Sequence, residues 1–436
     1  MLKTNSSFVQ PDLALPLRLK HLHMTASPHS PSELRQHWRY VLGCFLGLAS
    51  GVSSLYFYSS GLFLKPLAAE FGWTRGTASL GSLISSVLLG CAAPFIGQVI
   101  DRYGARRVTL LSLVGLSTSF LLLGAWTQGL ASFLALVTVL TLLGGATSPL
   151  SFTRILVGKF SRQRGLALGI AITGTGVGAI LIPLIVTPAI AHFGWRATYL
   201  GLAAVVLALL PLIAYFLRGV DATPAEKIRS AQSASNLKAL ADPRFIRIAA
   251  VFLLCSVGIF GTIVHVVPML TDLGLSPNRA AGLASILGVA VIVGRIVTGL
   301  LLDMFDAARL SATLFVLSAT GMLLLATGRP ALVLPGLLMT GFAVGAEFDL
   351  AAYLVSRKFA LDLYSTLFGG VYATVAIGAG IGPFIAGRLF DISGSYISWL
   401  CLAAGLLLAA AMICLTERPA AKHASGTDAA TGASER

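Results

Sequence analysis

The chain has 436 residues, of which 56% are hydrophobic and only 11% are charged. Soluble globular domains carry about 25% charged residues, so this composition excludes a soluble domain and indicates a protein with many membrane spans. The formal net charge of +14 raises the question of a nucleic-acid surface. The basic residues, however, lie almost entirely between the apolar runs, which makes them a signal of membrane topology and predicts no nucleic-acid partner.

Twelve apolar runs are long enough to cross a bilayer as helices, since a span needs about 20 residues. We predict spans 1 to 12 at residues 40–64, 78–100, 108–127, 131–157, 165–190, 196–217, 246–270, 280–302, 310–327, 331–355, 366–388 and 396–416. Lys and Arg are scarce in alternate connections, which contain only Lys65, Arg75, Arg196, Arg279, Arg329 and Arg388. The positive-inside rule therefore predicts cytoplasmic termini, in what we expect to be a bacterial cytoplasmic membrane.

The spans divide into two similar halves. The longest connection, 219–245, is polar and separates six spans from six. At a shift of 200 residues, Gly178, Pro183 and Gly194 recur as Gly378, Pro383 and Gly394. We therefore predict an all-α membrane protein with 12 transmembrane helices in two pseudo-symmetric six-helix bundles. The predicted segments are an N-terminal tail (1–37), a bundle (38–218), a linker (219–245), a second bundle (246–416) and a tail (417–436).

A charged turn between spans 2 and 3 returns in weaker form between spans 8 and 9. The residues of the first copy are Gly97, Asp101, Arg102, Gly104, Arg106 and Arg107, and the second copy contains Asp303. Together with the six-plus-six arrangement, this pattern resembles the major facilitator superfamily. The resemblance implies that these residues form a conformational latch rather than a substrate site. A plain positively charged loop is the simpler alternative.

Two further stretches resemble the monocarboxylate-porter and oxalate:formate-antiporter branch of that superfamily: Glu70–Arg75, which leads into span 2, and 158–178, which enters span 5. In that branch an Arg of span 8 holds the substrate carboxylate, and Arg295 occupies the matching position. Two partners differ. The acid one turn before that Arg is Val291 here, and the lysine of span 1 is Tyr58, so the proton relay of the animal porters does not carry over.

Arg295 is the strongest candidate for binding chemistry. A charge near the bilayer centre costs about 2.5–3.5 kcal/mol on insertion scales, so it needs a partner or a wet cavity. A guanidinium is a planar fork that suits a carboxylate and stays charged. Arg295 is therefore predicted to bind a substrate carboxylate; the alternative is a structural pair with Glu347 or Asp349 of span 10.

Three more charged residues lie in or near spans. Glu347 and Asp349 are two residues apart, about 200° around a helix, so one is expected to line the cavity or couple transport and the other to pack or form a gate. Arg154 of span 4 could pair with either acid as a gate. The alternative is an Arg154 side chain that extends to the membrane surface.

His265 is the only histidine inside a predicted span. An unperturbed pKa near 6.5 would suit proton coupling, but a hydrogen-bonded wall residue of the substrate cavity is the more common role. Tyr56 and Tyr58 make span 1 polar in its outer half and are expected to line a hydroxyl-rich substrate cavity, unless they bond neighbouring helices instead.

No catalytic or cofactor motif is present. The sequence has no GxxxxGK[ST], GxSxG or HExxH pattern, and the five cysteines lie in apolar runs without a His cluster. No enzyme, metal site or cofactor is predicted. We expect a monomeric, lipid-embedded secondary active transporter that moves a small organic anion by alternating access, with protons as the coupling ion. Proton-driven efflux of drugs or amphiphiles, and a sensor with a transporter fold, are the alternatives.

Overall fold

The computed structural model describes residues 33–160, 163–220, 239–302, 304–359 and 363–416. Within these ranges the chain is helical, with short turns and no strand. In this described part of the chain, eleven helices are long and apolar enough to cross a membrane. The prediction of an all-α membrane protein is therefore confirmed.

The helices follow the predicted spans closely. Their bounds are Glu33–Ala49 and Val52–Phe71 for span 1, Arg75–Tyr103 for span 2, Ala105–Trp126 for span 3, Leu130–Gly144 and Pro149–Val157 for span 4, Arg164–Phe216 for spans 5 and 6, Pro243–Asp272 for span 7, Pro277–Leu302 for span 8, Ala307–Ala326 for span 9, Pro330–Lys358 for span 10, Tyr364–Ser393 for span 11 and Ile397–Leu415 for span 12. A short 3₁₀ turn, Gly145–Thr147, joins the two pieces of span 4.

The difference between eleven helices and twelve predicted spans comes from one 53-residue helix, Arg164–Phe216. At 1.5 Å per residue it is about 80 Å long, more than twice the thickness of a bilayer core. Gly194 interrupts it with φ 77° and ψ 166°, a conformation that glycine adopts at little cost. The chain therefore bends there, and the two arms are spans 5 and 6.

Local sequence fixes where several helices begin. The Thr74 hydroxyl accepts from the backbone N–H of Thr77, and Asp306 accepts from that of Arg309. Both satisfy a donor that the first turn of a helix leaves free. Pro243 and Pro330 stand in the first turn of spans 7 and 10, where the missing N–H does no harm.

Each half of the protein has its own apolar core. One cluster of buried residues runs from Val41 to Leu217, and the other from Phe245 to Cys414. We call the part up to residue 220 the N-terminal half and the part from 239 the C-terminal half. The membrane face at which span 1 begins and span 12 ends is called the basic side, and the opposite face is called the far side.

Glycines bring equivalent helices together in both halves. A Cβ on Gly178 of span 5 would lie 2.8 Å from the Ser54 Cβ of span 1, and a Cβ on Gly378 of span 11 would meet the side chain of Ser256 of span 7. The repeat in the sequence is thus a repeat in packing. These glycines serve close helix contact, as small residues commonly do in membranes.

The two halves meet along three pairs of spans. Span 1 packs on span 7 through Gly61 and Val264, span 2 on span 11 through Gly380 and Leu83, and span 5 on span 8 through Gly288 and Ala179. The Ser285 hydroxyl also donates to the Ile180 carbonyl at 2.7 Å. Arg295 lies seven residues, about two turns, beyond Gly288 of this contact, toward the basic side.

Candidate functional site

Arg295 lies in span 8 and points between helices instead of into lipid. Its side chain is 18% exposed, and it lies seven residues, about 10 Å, before the end of the helix at the basic side. This is nearer to the basic side than the midplane position expected from the sequence. A guanidinium at this depth still needs a partner or water.

Close packing of spans 8 and 10 explains the partners of Arg295. Gly294 lies against the Phe342 backbone, and Gly345 lies against the backbone of Val291 and Arg295. The absence of side chains at these two glycines lets the helices touch, so they serve packing and do not make room for a ligand. As a result, Arg295 Nε donates to the Gly345 carbonyl at 3.4 Å.

Asp349 is the acid that faces Arg295. Its Oδ2 lies 3.7 Å from Arg295 Nε, and its side chain is 38% exposed. This is a side-on contact through Nε rather than a two-pronged pair. In the described part of the chain, the two terminal guanidinium nitrogens of Arg295 have no hydrogen-bond partner. The fork that best fits a carboxylate is therefore free.

Glu347 has the opposite environment, as the 200° separation predicts. Its side chain is completely buried, and within the described ranges neither carboxyl oxygen has a hydrogen-bond partner. Burying an isolated carboxylate costs far more than burying the neutral acid. Glu347 is therefore separate from the Arg295–Asp349 pair.

Tyr58 is the predicted cavity residue that the structure places in a cavity between the halves. It lines a small cavity between the halves, with apolar residues of spans 5, 7 and 8 around it. Arg295 does not line this cavity: the nearest lining residue on its helix, Leu287, lies eight residues, about 12 Å, closer to the far side. The cavity beside Tyr58 could hold the apolar part of a small ligand on the far side of Arg295.

Tyr56 does not join this site. It is 4% exposed and belongs to the apolar core of the N-terminal half, where a Cβ on Gly81 would lie 3.0 Å from its hydroxyl. Tyr56 and Tyr58 are separated by about 200° around the helix, so only one of them can face the other half. The expectation that both line one cavity is wrong.

His265 is also placed differently from the prediction. It is 1% exposed, with Nδ1 2.8 Å from the Tyr396 hydroxyl and Nε2 2.9 Å from the Pro383 carbonyl. Ser79 of span 2 lies 3.3 Å from the same Nε2. His265 is a bonded structural residue in the far-side half of span 7, and it does not line the space beside Arg295.

Arg154 pairs with the predicted latch and not with Glu347 or Asp349. Its Nη1 forms an ion pair with Asp101 and donates to the Gly97 carbonyl at 3.2 Å. The expected gate pair with span 10 is therefore absent here, because Asp101 of the same half is nearer. Gly104 caps span 2 with φ 86°, which favours glycine.

The other latch residues remain at the basic side. Arg102 stacks on Tyr103, and Arg106 donates to the Ala214 carbonyl at 3.4 Å. Arg107 is exposed. Asp303 lies outside the described residues. The latch role of this group stays a prediction.

A cluster of charges on the far side was not foreseen as a unit. Arg75 forms an ion pair with Asp272 and donates to the Tyr396 hydroxyl at 2.7 Å. Lys65 lies 2.7 Å from the same Asp272. Asp391 accepts from the backbone N–H of both Arg75 and Gly76 at 2.9 Å. We call these five residues, Lys65, Arg75, Asp272, Asp391 and Tyr396, the far-side cluster; it ties the N-terminal half to the C-terminal half.

The opposite end of the interface is more open. Gly176 packs on Ile292. About two turns nearer the basic side, no described atom lies within 4 Å of a Cβ built on Gly169 or Gly299. Together with the 38% exposure of Asp349, this makes the Arg295 site accessible from the basic side while the far-side cluster closes the other.

Comparisons with known proteins agree with this arrangement. A family model described as Major Facilitator Superfamily matches residues 46–367 and 248–434. Monocarboxylate transporter 12 of Homo sapiens is 28% identical over 409 residues, covering 84% of this chain and 77% of that protein. An MFS-type transporter of Gibberella moniliformis is 27% identical over 391 residues, covering 86% of this chain and 88% of that protein.

Solved structures share the fold at low identity. The D-xylose-proton symporter superposes with a TM-score of 0.70 at 16% identity, covering 88% of this chain and 98% of that one. The nucleoside transporter NupG gives 0.72 at 14% identity, covering 87% and 98%. Identities this low carry information about architecture and none about substrate.

Proposed function

Because this chain belongs to the major facilitator superfamily and is an integral membrane transporter, we propose that it carries a small organic anion, of the monocarboxylate class, by alternating access with protons as the coupling ion. The observation that carries the proposal is the state of Arg295. Its Nε is used by Gly345 and Asp349, while its two terminal nitrogens are free in the described structure.

A carboxylate fits the free end of Arg295. Two parallel N–H···O bonds between a guanidinium and a carboxylate are among the strongest polar contacts in proteins. Tyr58, which lines the cavity between the halves, supplies a hydroxyl that can bond a ligand extending from Arg295 toward the far side. The apolar lining beside Tyr58 suits the short carbon chain of a monocarboxylate. The names of the relatives, among them monocarboxylate transporters, support the same class.

Charge balance favours a coupled proton. Arg295 and Asp349 together are neutral, so a bound anion brings the site to a charge of −1. Carrying a net charge through a low-dielectric interior is costly. If the ligand takes the free nitrogens of Arg295, Asp349 loses part of its attraction to the guanidinium and is better placed to accept a proton. Ligand and proton would then cross together with no net charge.

The far-side cluster supports alternating access. It joins the halves on one face through Arg75, Asp272 and Tyr396, while Arg295 is reached from the other face. In the orientation that we propose, with the basic side in the cytoplasm, this conformation faces inward. Opening the far side requires these bonds to break, and rocking of two halves about a central site is the general scheme for transporters built from repeats.

Transport by purified protein in liposomes tests the proposal. Uptake of short labelled monocarboxylates is measured with and without an inward proton gradient, for the natural chain, for Arg295→Ala, and for Arg279→Ala as the matched control. Arg279 lies on the same helix and is exposed. We expect uptake that the gradient accelerates, loss of about a hundredfold or more in Arg295→Ala, and rates within about twofold for Arg279→Ala.

Two results would contradict the proposal in different ways. Full transport by Arg295→Ala would remove Arg295 from the binding site while leaving an anion transporter. Uptake that neither responds to the gradient nor saturates with any monocarboxylate would remove the substrate class, although the transporter fold would stand.

A further inference from the structure

Three arginines from three different spans converge where span 6 ends at the basic side. Arg39 of span 1 donates to the Tyr215 carbonyl at 3.4 Å, and Arg106 of span 3 donates to the neighbouring Ala214 carbonyl at 3.4 Å. Arg218 follows the end of span 6 and stacks over the Tyr215 ring at 5.2 Å. Arg39 stacks over the same ring at 4.8 Å.

Among the described residues, this gathering of like charges has no acidic counterpart. None of the three arginines forms an ion pair with a described residue, and Asp101, the acid of the charged turn, pairs with Arg154. Arg106 Nε is enclosed by protein and has no described hydrogen-bond partner, so an outside ligand would meet the other nitrogens of the three arginines. Guanidinium groups held together without an acid suit a phosphate group.

The surroundings indicate what that acceptor is attached to. Trp38 is 50% exposed and Tyr215 is 48% exposed, and Trp38 meets Phe216 edge-on at 5.9 Å. Exposed Trp and Tyr at the end of a span mark the level of the lipid headgroups. A phospholipid whose phosphate binds the arginines would therefore have its acyl chains beside aromatic rings. Free inorganic phosphate has no acyl chains and would gain nothing from these rings.

We propose that Arg39, Arg106 and Arg218 form a binding site for the headgroup of an anionic phospholipid from the leaflet at the basic side. Basic pockets between spans on this side of membrane proteins are suited to such lipids. The site lies wholly in the N-terminal half, so it would remain intact while the two halves move. It is independent of the anion that Arg295 binds.

Lipid binding to the purified, delipidated full chain tests this site. Native mass spectrometry measures the affinity for phosphatidylglycerol and for phosphatidylcholine. The variants are Arg39→Gln/Arg218→Gln and a matched control, Arg309→Gln/Arg357→Gln, whose arginines lie at the basic side in the other half. Arg357 also stacks on a tyrosine, Tyr353, at 5.5 Å. The control variant therefore also removes an arginine that stacks on a tyrosine, but outside the cluster of three arginines.

We expect phosphatidylglycerol to bind at least tenfold more tightly than phosphatidylcholine. The double variant should bind phosphatidylglycerol roughly twenty-five-fold more weakly, about fivefold for each basic side chain, and the control within twofold of the natural chain. Arg39→Lys/Arg218→Lys, which keeps the charge and the fold, should keep most of the preference.

Three outcomes would overturn the site. One is equal binding of the two lipids by the natural chain. The second is an equal loss in the cluster variant and the control. The third is complete displacement of phosphatidylglycerol by an equal concentration of inorganic phosphate, which would make the cluster a site for free phosphate instead of a lipid.

Discussion

Two arginines at the interface of the halves have similar exposure and opposite environments. The Arg75 side chain is 14% exposed and that of Arg295 is 18% exposed. Arg75 bonds Asp272 through both terminal nitrogens and Tyr396 through one of them, and it stacks on Phe390 at 3.6 Å. Arg295 uses only Nε, and its terminal nitrogens are free within the described chain.

The difference separates a structural arginine from a binding one. A guanidinium whose two terminal nitrogens are both bonded can only be released when its partners move, which suits a contact that holds one conformation. A guanidinium with free donors can accept a ligand without first breaking a strong pair. Burial alone does not distinguish the two, because both side chains are mostly buried.

Replacing each arginine by lysine gives the largest expected contrast. Arg295→Lys keeps the charge but loses the planar fork, so we expect kcat/KM for the anion to fall about a hundredfold, equivalent to about 2.7 kcal/mol. Arg75→Lys keeps a pair with Asp272 and should fall about threefold or less. Initial rates in liposomes measure both. Equal losses would show that the free nitrogens of Arg295 have no special role.

The two acids of span 10 provide the second contrast. In Asp349→Asn the ligand can still bind Arg295, but the carboxylate beside Arg295 that could take a proton is gone. We expect exchange of labelled for unlabelled anion to persist within about threefold and proton-driven accumulation to fall by about tenfold. Glu347→Gln is the matched control. Since Glu347 is buried without a partner, its amide variant should keep the accumulation and its pH dependence.

A reversed result for this pair would be equally informative. If Glu347→Gln loses accumulation and Asp349→Asn keeps it, the proton is carried by the buried acid and Asp349 serves only to orient Arg295.

Weakening the far-side cluster should have a moderate effect on conformation. Asp272→Asn removes the charge shared by Lys65 and Arg75, each contact being partly exposed and worth about 1 kcal/mol or less. We expect a membrane-impermeant thiol reagent added at the far side to label Tyr58→Cys about fivefold faster. Asp242→Asn, at the basic end of span 7, should leave labelling unchanged. No acceleration would mean that apolar packing alone closes the far side.

Tyr58→Phe should produce the smallest change. It removes one hydroxyl and keeps the ring, so the apparent affinity for the anion should fall about threefold, near the lower end of what a single hydrogen bond contributes. Tyr56→Phe is the control, because Tyr56 packs within the N-terminal half. A larger loss in Tyr56→Phe than in Tyr58→Phe would reverse our assignment of which tyrosine faces the ligand.

Sequence reasoning recovered the spans, and it named Asp349 among the acids that could pair with Arg295, because both depend on local rules. Span length follows from bilayer thickness, and a charge inside an apolar run must find a partner. The separation of Glu347 from Asp349 followed from helix geometry. The periodicity also separates Tyr56 from Tyr58, although the sequence analysis assigned both to one cavity.

Partners across the fold were not predictable in the same way. Arg154 had several acids within reach in principle, and only packing brings Asp101 beside it. His265 bonds Tyr396, which is 131 residues away, so no local pattern could place it. Arg75 belongs to the Glu70–Arg75 stretch, and the acid Asp272 directly follows an apolar run. Their contact, however, depends on how the two halves meet.

The bent helix of spans 5 and 6 has a mechanical consequence. One residue, Gly194, separates two arms that together run from Arg164 to Phe216, so there is no slack loop between them. A movement of span 5 at its contact with span 8 would therefore also move span 6, together with the outer wall of the N-terminal half. A movement that begins at the ligand would thus reach the lipid-facing surface with little loss of amplitude.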